Sequence, residues 1–274
     1  MEPILYRWQL TRDDPFRIDE QSIPPGFENP RYDMHSAVHL GILRRGAMGN
    51  LTRRYDLFFT ASWELHGRTR SSCGAELLLI TVQPEALLDG VIDSRERVKN
   101  LLFLPSGNTP EPFRSEALRQ KAREFCAAYR KRRNEPDPGR ARQGLWLDIV
   151  GLFHSVAVST DLHSGGGVRR KYPQLQPVFA ALAELKHLPL SPAAAARMCC
   201  MSESYFSHLF RACTGISFGQ YELAFRLNGA AAALQRGPVR LKQLAAEWGF
   251  YDASHFCRSY KRYFGVAPSR DRER

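Results

Sequence analysis

The feature that most constrains this chain is an internal repeat near its C-terminus. The first copy, residues 195–210, reads AARMCCMSESYFSHLF, and the second, residues 244–260, reads LAAEWGFYDASHFCRSY. From Ser202 and Asp252 onward the copies align at an offset of 50 residues, whereas one turn earlier they align at 49. Both copies therefore predict the same supersecondary unit, and the second has a turn that is one residue longer.

Each copy has the pattern of a helix-turn-helix unit. A short helix carries a small alanine where a second helix must approach, and a tight turn follows. Ser202 or Asp252 then supplies a side-chain oxygen that can cap the second helix. Aromatic residues four positions apart predict the buried face of that helix, namely Phe206, Phe210, Phe256 and Tyr260. Ordinary amphipathic helix pairs would explain one such pattern, but its duplication in a basic segment favours DNA binding.

Chain length, charge distribution and a linker-like segment together indicate that the repeat belongs to a separate C-terminal domain. The chain has 274 residues and a net charge of +11, which suits two domains and a polyanionic partner. From residue 173 onward there are 13 basic and 7 acidic residues, a net charge of +6 in 102 residues. A glycine triplet lies between polar and basic residues in 161–171, a composition typical of linkers. We predict domains over residues 1–160 and 173–274, with a linker over 161–172.

The fold class is predicted to be α+β. Turn residues within 1–105 separate short β-favouring runs, which is typical of a barrel or sandwich; the runs are Ala37–Leu43, Tyr55–Thr60 and Leu77–Gln83. Apolar residues at three- and four-residue steps then predict a helical hairpin over 114–133 and about 143–158. After the linker the patterns predict an all-helical domain of about seven helices.

Residues from about 175 to 272 resemble the DNA-binding domain of the AraC/XylS family of bacterial transcription regulators. The matching residues are Ser202, Tyr205, Phe206, Phe210, Gly215, Phe218, Tyr221, Arg226, Leu227, Leu244, Ala245, Gly249, Phe250, Asp252, Ser254, His255, Phe256, Tyr260, Lys261, Arg262, Phe264, Gly265, Pro268 and Arg272. The resemblance implies two helix-turn-helix units that place their second helices in successive major grooves. A long helix, here about Phe218–Gln235, would join them.

The resemblance also implies which outward-facing side chains contact DNA. The expected base-facing residues are Ser204, Ser207 and His208 in the first unit, and Ser254, Cys257 and Arg258 in the second. Arg258 is the strongest candidate, because a guanidinium can bond guanine through two hydrogen bonds. The expected phosphate contacts, which position the protein without specifying sequence, are Arg211, Lys261 and Arg262.

Three residues depart from the family pattern. Cys200 stands at the turn glycine of the first unit, where a positive φ would strain any other residue. Gly229 lies inside the joining helix, where glycine costs about 1 kcal/mol relative to alanine. Asp271 stands where an aromatic residue is usual. Because Cys200 lies in the first unit, the second unit is the stronger candidate for base contacts.

Residues 35–83 resemble the cupin-like β-barrel that members of this family often place before the DNA-binding domain. The stretches that carry this resemblance are 55–67 and 76–81. It implies a barrel that binds a small effector or supports dimerisation, with the helices in 114–158 at the dimer contact. The expected effector pocket is lined by Trp63, Glu64 and His66.

Four side chains in this region are metal ligands by type, namely His35, His39, Glu64 and His66. The His-x-His motif of metal-binding cupins is absent, and His35 and His39 would share a strand face but lie far apart. The glycines in 165–167 lack the lysine of a phosphate-binding loop. We therefore predict no metal, no other cofactor and no catalysis. A metal-dependent cupin enzyme fused to a DNA-binding domain remains the alternative.

The remaining sequence features concern location and partners. Six scattered cysteines without a CxxC pair are typical of a reducing compartment, so we expect the cytoplasm. No apolar run reaches the 18 residues that a membrane span requires, and residues 1–10 lack the pattern of a secretory signal. The expected partners are double-stranded DNA, a small-molecule effector, a second copy of the chain and, for an activator, RNA polymerase.

Overall fold

The computed structural model describes residues 10–29, 37–62, 64, 66, 69–90, 95–102, 113, 115–159, 171, 174–184, 189–236 and 239–272. The strands are β1 (Phe16–Ile23), β2 (Phe27–Asn29), β3 (Val38–Gly46), β4 (Leu57–Thr60), β5 (Thr69–Ser71) and β6 (Ala75–Val82). The helices before the predicted linker are α1 (Pro84–Asp89), α2 (Arg95–Leu102), α3 (Glu116–Arg133) and α4 (Pro138–Ser159). The later helices are α5 (Gln176–Glu184), α6 (Pro192–Met198), α7 (Glu203–Thr214), α8 (Phe218–Arg236), α9 (Leu241–Glu247), α10 (Ala253–Phe264) and α11 (Pro268–Arg272).

Four antiparallel strands form the main sheet in the order β1-β6-β3-β4. Every residue of β3 from Val38 to Leu43 is buried, as is almost all of β6, because both faces of these central strands are covered. Strand β1 was not predicted from the sequence. Its residues are mostly polar or charged and only partly buried, because it lies at the edge of the sheet and pairs with β6 alone.

The predicted closed barrel is not observed in the part of the chain that the structure describes. There the strands form the four-stranded sheet and a separate ribbon of β2 and β5. The mixed helix-and-sheet class is confirmed, with helices following the sheet. The α+β prediction therefore stands at the level of fold class, and the barrel remains a prediction.

Helices α3 and α4 form the predicted hairpin. They pack on one face of the main sheet and share a core with it that includes Leu40, Ile80, Phe125 and Phe153. Helix α4 begins five residues earlier than predicted, because Pro138 suits the first helical turn and the Asp137 side chain accepts hydrogen bonds from the backbone N–H groups of Gly139 (2.8 Å) and Arg140 (3.2 Å).

The C-terminal helices form two further cores, and α8 contributes to both. The first core contains Phe179, Phe206, Phe210 and Tyr221, and the second contains Leu227, Phe250, Phe256 and Tyr260. No strand occurs among the described residues after 171. Residues 160–170 lie outside the described part, so the domain boundary there remains a prediction. None of the helices that the structure describes is both long and apolar enough to cross a membrane.

A buried ion pair attaches α3 to the start of β4. The Asp56 side chain is only 1% exposed and accepts a hydrogen bond from Arg119 Nε at 2.8 Å. The backbone N–H groups of Thr52 and Arg53 donate to its other oxygen, at 3.1 and 2.9 Å. Burial raises the pKa of Asp56, but these hydrogen bonds outweigh burial and hold the pKa below its ordinary value.

We expect Asp56→Asn to lower the free energy of unfolding at pH 7 by about 2 kcal/mol or more, because it leaves Arg119 without its buried partner. The folded-state pKa of Asp56 is depressed, so its contribution is complete above the unfolded value of about 4 and is lost as pH falls through the folded value. Urea unfolding of the wild type and of Asp56→Asn should therefore show a smaller difference in the free energy of unfolding at pH 3 than at pH 7.

Glu116→Gln is the matched control, because Glu116 also pairs with Arg119 but its side chain is 74% exposed. It should change stability by less than about 0.5 kcal/mol. Equal losses in the two variants would contradict a dominant role for the buried pair.

Candidate nucleic-acid interface

The first helix-turn-helix unit consists of α6 and α7. The Ser191 side chain accepts a hydrogen bond from the backbone N–H of Ala194 and caps α6, whose Pro192 occupies the first turn. The Ser202 side chain accepts from the N–H of Tyr205 at 3.3 Å and caps α7. Helix α7 ends at Gly215, which adopts φ +80°.

The second unit, α9 and α10, repeats this construction. The Asp252 side chain accepts a hydrogen bond from the N–H of His255 at 2.6 Å, and the helix ends at Gly265 with φ +75°. Helix α10 buries Phe256, Tyr260 and Phe264 on one face. The caps and the buried aromatic residues therefore lie where the repeat predicted them.

The two turns differ by one inserted residue. In the first turn the N–H of Met201 donates to the carbonyl of Ala196 at 2.9 Å, and in the second the N–H of Phe250 donates to Ala245 at 2.8 Å. Ser202 follows Met201 directly, whereas Tyr251 stands between Phe250 and Asp252. Tyr251 is 93% exposed beside the start of α10. It was not among the predicted site residues, although the change of offset from 50 to 49 pointed to this turn.

Cys200 adopts the conformation expected of the glycine that it replaces. Its φ is +54°, and the corresponding Gly249 has φ +65°. A left-handed conformation costs a residue with a Cβ roughly 1–2 kcal/mol. The first turn therefore has the same backbone as the second, at the cost of strain.

Gly229 is required by packing, which corrects its interpretation as a weakness of the joining helix. A Cβ at this position would lie 1.9 Å from the ring of Trp248, which follows α9. Glycine at this position therefore lowers the helix propensity of α8 but leaves the space that the Trp248 ring occupies. Asp271 is likewise explained, because its buried carboxylate accepts a hydrogen bond from the Tyr260 hydroxyl at 2.5 Å.

Arg226 connects the joining helix to the second turn. It forms a 2.6 Å ion pair with Glu222 and donates a hydrogen bond to the carbonyl of Gly249 at 3.0 Å. Its guanidinium also lies 4.7 Å from the centre of the Phe250 ring. These contacts hold the second unit against α8, so the position of α10 depends on the joining helix.

Most of the predicted DNA-contacting side chains are exposed. The exposed base-facing candidates are Ser204, Ser207, His208, Ser254 and Arg258. The exposed phosphate candidates are Arg211, Lys261 and Arg262. Cys257 differs, because it is half-buried and packs against the core of the second unit. Burial also raises the pKa of its thiol. These assignments remain predictions, with Cys257 the least accessible of them.

Two of the predicted effector residues, Glu64 and His66, follow β4 in the chain and lie among the described residues. Trp63 and His35 lie outside the described residues. The Glu64 carboxylate accepts a hydrogen bond from the N–H of Ala61 at 2.8 Å, and His66 Nδ1 lies 2.7 Å from the Glu64 carbonyl oxygen. The rings of His66 and His39 are 5.3 Å apart, so the fold brings these two histidines together.

The alternative of a metal site has only a limited structural counterpart. His39 Nδ1 lies 2.9 Å from the Thr81 hydroxyl. Within the described ranges, no group of three or more His, Cys, Asp and Glu side chains is placed to hold a metal ion. His39 and His66 are therefore neighbours without a third ligand among those residues.

Comparison with known proteins bears on residues 195–274, which match a family model described as a helix-turn-helix domain. The HTH-type transcriptional regulator GlxA of Rhizobium meliloti is 30% identical over 103 residues, 38% of this chain and 32% of that protein. The HTH-type transcriptional activator RhaR of Salmonella arizonae is 30% identical over 95 residues, 35% of this chain and 34% of that protein. The matches thus span about a third of these relatives.

A solved structure extends the likeness of fold to the N-terminal half. Unsaturated fatty acid bound ToxT from Vibrio cholerae superposes with a TM-score of 0.58 over 94% of this chain and 95% of that chain. The sequence identity is 11%, so the likeness concerns the fold alone.

The repeated units, their caps and the joining helix define the C-terminal part as a double helix-turn-helix domain of the kind that binds DNA. The matched relatives are named transcriptional regulators. The resemblance of this domain to the AraC/XylS family is confirmed.

We expect Cys200→Gly to stabilise the C-terminal domain by about 0.5–1 kcal/mol, because glycine removes the left-handed strain and loses part of the gain to chain entropy. Cys200 is exposed, so little packing is lost. Thermal unfolding of the full chain should show a higher melting temperature for the domain.

Two controls separate strain from the loss of a thiol. Cys200→Ala keeps the Cβ and should gain nothing. Cys199→Gly alters the neighbouring residue, whose φ is −91°, and should destabilise. A gain in Cys200→Ala equal to that in Cys200→Gly would contradict the explanation by strain.

Proposed function

We propose that this chain is a sequence-specific transcription regulator that binds double-stranded DNA through residues 173–274. The observation that carries the proposal is the pair of capped helix-turn-helix units attached to α8, each with an exposed polar face on its second helix. Such a face near a helix N-terminus can enter the major groove, where base edges are distinguishable. The net charge of +6 in this domain supplies attraction to phosphates.

The second unit is better suited than the first to both base contacts and phosphate contacts. Helix α10 contains no acidic residue, and its outer face carries Ser254, Arg258, Lys261 and Arg262. Arg258 lies one turn beyond Ser254, so we assign it to a base edge, and Lys261 and Arg262 to phosphates. Tyr251 stands exposed at the start of the same helix, where its hydroxyl can donate to a phosphate oxygen.

The N-terminal domain, residues 1–160, is proposed to be a cupin-like domain that controls DNA binding through an effector or through dimerisation. One comparison supports the effector, and another supports a further partner. The ToxT structure contains a bound unsaturated fatty acid, which supports a small-molecule effector here. RhaR is named an activator, which supports RNA polymerase as a further partner. A regulator of this kind acts in the cytoplasm and needs no catalytic step.

Helix α4 presents a surface that suits a second copy of the chain. Its exposed side carries Leu147 (64% exposed), Gly151, His154 and Val158 (43% exposed), at spacings of four, three and four residues. This spacing is typical of paired helices, and Gly151 would allow a close approach. We therefore assign the dimer contact to α4.

DNA binding by the variants Arg258→Ala and Lys261→Ala tests the base and phosphate assignments. With a site selected from random DNA, Arg258→Ala should reduce the preference for that site over scrambled DNA by about 5- to 100-fold, the value of one base contact. Lys261→Ala should weaken binding to both DNAs alike and lower the salt slope by about one. Equal losses of preference in the two variants would contradict the assignment.

Sedimentation of Leu147→Glu tests the dimer contact. A charge in a paired apolar stripe should raise the dimer dissociation constant at least tenfold, because the carboxylate would lose its water. Ala127→Glu adds the same charge to an exposed position of α3 and is the control. A wild-type chain that stays monomeric at all concentrations, or equal effects of both variants, would refute the assignment.

A further inference from the structure

Three arginines converge on a small cavity between the main sheet and α3. The cavity has a volume of about 30 Å³. Its lining, which we call the arginine notch, consists of Arg44, Arg54, Tyr55, Leu78, Cys126, Tyr129 and Arg130. The notch lies at the surface where α3 packs on the sheet, and it contains none of the predicted effector residues Trp63, Glu64 and His66.

The three guanidinium groups come from three different elements. Arg44 lies near the end of β3, Arg54 lies in the turn before β4, and Arg130 lies in the last turn of α3. Burial raises the pKa of the Cys126 thiol to about 11, and the positive charges of Arg44, Arg130 and Arg54 all act on that thiol in the opposite direction. The fold therefore brings the three charges together around one neutral thiol.

The carboxylates near the notch leave two of these charges unpaired. Arg44 is paired with Glu20 at 2.7 Å, and Glu20 also pairs with Arg133. Arg54 and Arg130 form no ion pair with any residue for which the structure gives a side-chain position. Bringing such charges together without an anion is unfavourable, because like charges repel.

The contacts that Arg54 and Arg130 do make leave their guanidinium groups available. Arg130 Nε donates to the carbonyl of Cys126 at 3.3 Å, and its remaining N–H groups are not used in that bond. The Arg54 guanidinium lies 4.9 Å from the centre of the Tyr55 ring, a contact with the ring face that uses none of its N–H groups in hydrogen bonds. Tyr55 itself is buried and belongs to the core of the N-terminal half.

We propose that the arginine notch binds an oxyanion, either the carboxylate of an organic acid or free phosphate, between Arg54 and Arg130. A guanidinium presents paired N–H donors that match the two oxygens of a carboxylate or phosphate. A cavity of about 30 Å³ accommodates only the oxygen atoms nearest the arginines, so the rest of a phosphate or of an organic acid would extend outside.

Such a ligand would have a structural consequence for the N-terminal domain. It would join the turn before β4 to the last turn of α3, whereas Asp56 and Arg119 already join the same turn to the first part of α3. Helix α3 packs against α4, which carries the proposed dimer contact. The inference thus deepens the proposed control by an effector, on which its functional meaning rests.

Calorimetric titration of the full chain at constant ionic strength tests the notch. The probes are sodium acetate, sodium benzoate and sodium phosphate, with sodium chloride as the balancing salt. We expect saturable binding of at least one probe. Binding of the two carboxylates but not phosphate would identify an organic acid, and the reverse would identify phosphate.

The decisive comparison uses neighbouring residues of equal charge. The double variant Arg54→Gln, Arg130→Gln should weaken binding at least tenfold. Arg53→Gln, Lys131→Gln removes the same charge from adjacent exposed positions outside the notch and should bind as the wild type does. Absence of saturable binding to all probes, or equal losses in the two double variants, would overturn the proposal.

DNA binding by the same proteins separates this inference from the proposed function. Without added oxyanion, the Arg54→Gln, Arg130→Gln protein should keep its DNA affinity within twofold, because the notch lies in the N-terminal domain. A notch that binds no oxyanion in a chain that binds specific DNA would refute only the inference. Absence of specific DNA binding by the wild-type protein would refute the proposed function.

Discussion

The contact between Trp248 and Gly229 determines where the second recognition helix lies. The indole ring occupies the space that any larger side chain would fill, and so brings α9 directly against α8. Arg226 holds the same junction through Glu222 and the carbonyl of Gly249. Because α10 follows this turn, its orientation depends on the packing of one indole ring. The proposed binding of both helices to one DNA molecule needs such a fixed junction, since a small error there would displace α10 from its proposed groove.

The first unit is attached to the other end of α8 in a different way. Aromatic rings supply the contact, with Phe210 lying 5.1 Å from Phe218 and 5.2 Å from Tyr221 between ring centres. The turn of this unit has the same backbone as the second turn but uses a strained cysteine. The turns of the two units thus share a backbone conformation, whereas their attachments to α8 differ.

Charge has different consequences in the two halves of the chain. In the C-terminal domain Arg211, Arg258, Lys261 and Arg262 lie on exposed helix faces, where they can meet phosphates. In the N-terminal half several arginines are instead paired with carboxylates, and the pair of Arg119 with Asp56 is buried. The arginine notch combines both situations. Arg44 is paired with a carboxylate, whereas Arg54 and Arg130 have no carboxylate among their described neighbours.

Local sequence patterns were sufficient to predict a large part of the C-terminal helices. The repeat predicted both helix-turn-helix units and their caps at Ser202 and Asp252, because capping and helical periodicity depend on residues a few positions apart. The resemblance to the AraC/XylS family implied the extent of α8. Only the tertiary structure showed that β1 is a strand, because its polar sequence becomes extended by pairing with β6. It also showed that Gly229 accommodates Trp248 and that Arg44, Arg54 and Arg130 meet at one cavity. Those features join residues that are distant in the chain, and a single sequence contains no signal for distances of that kind.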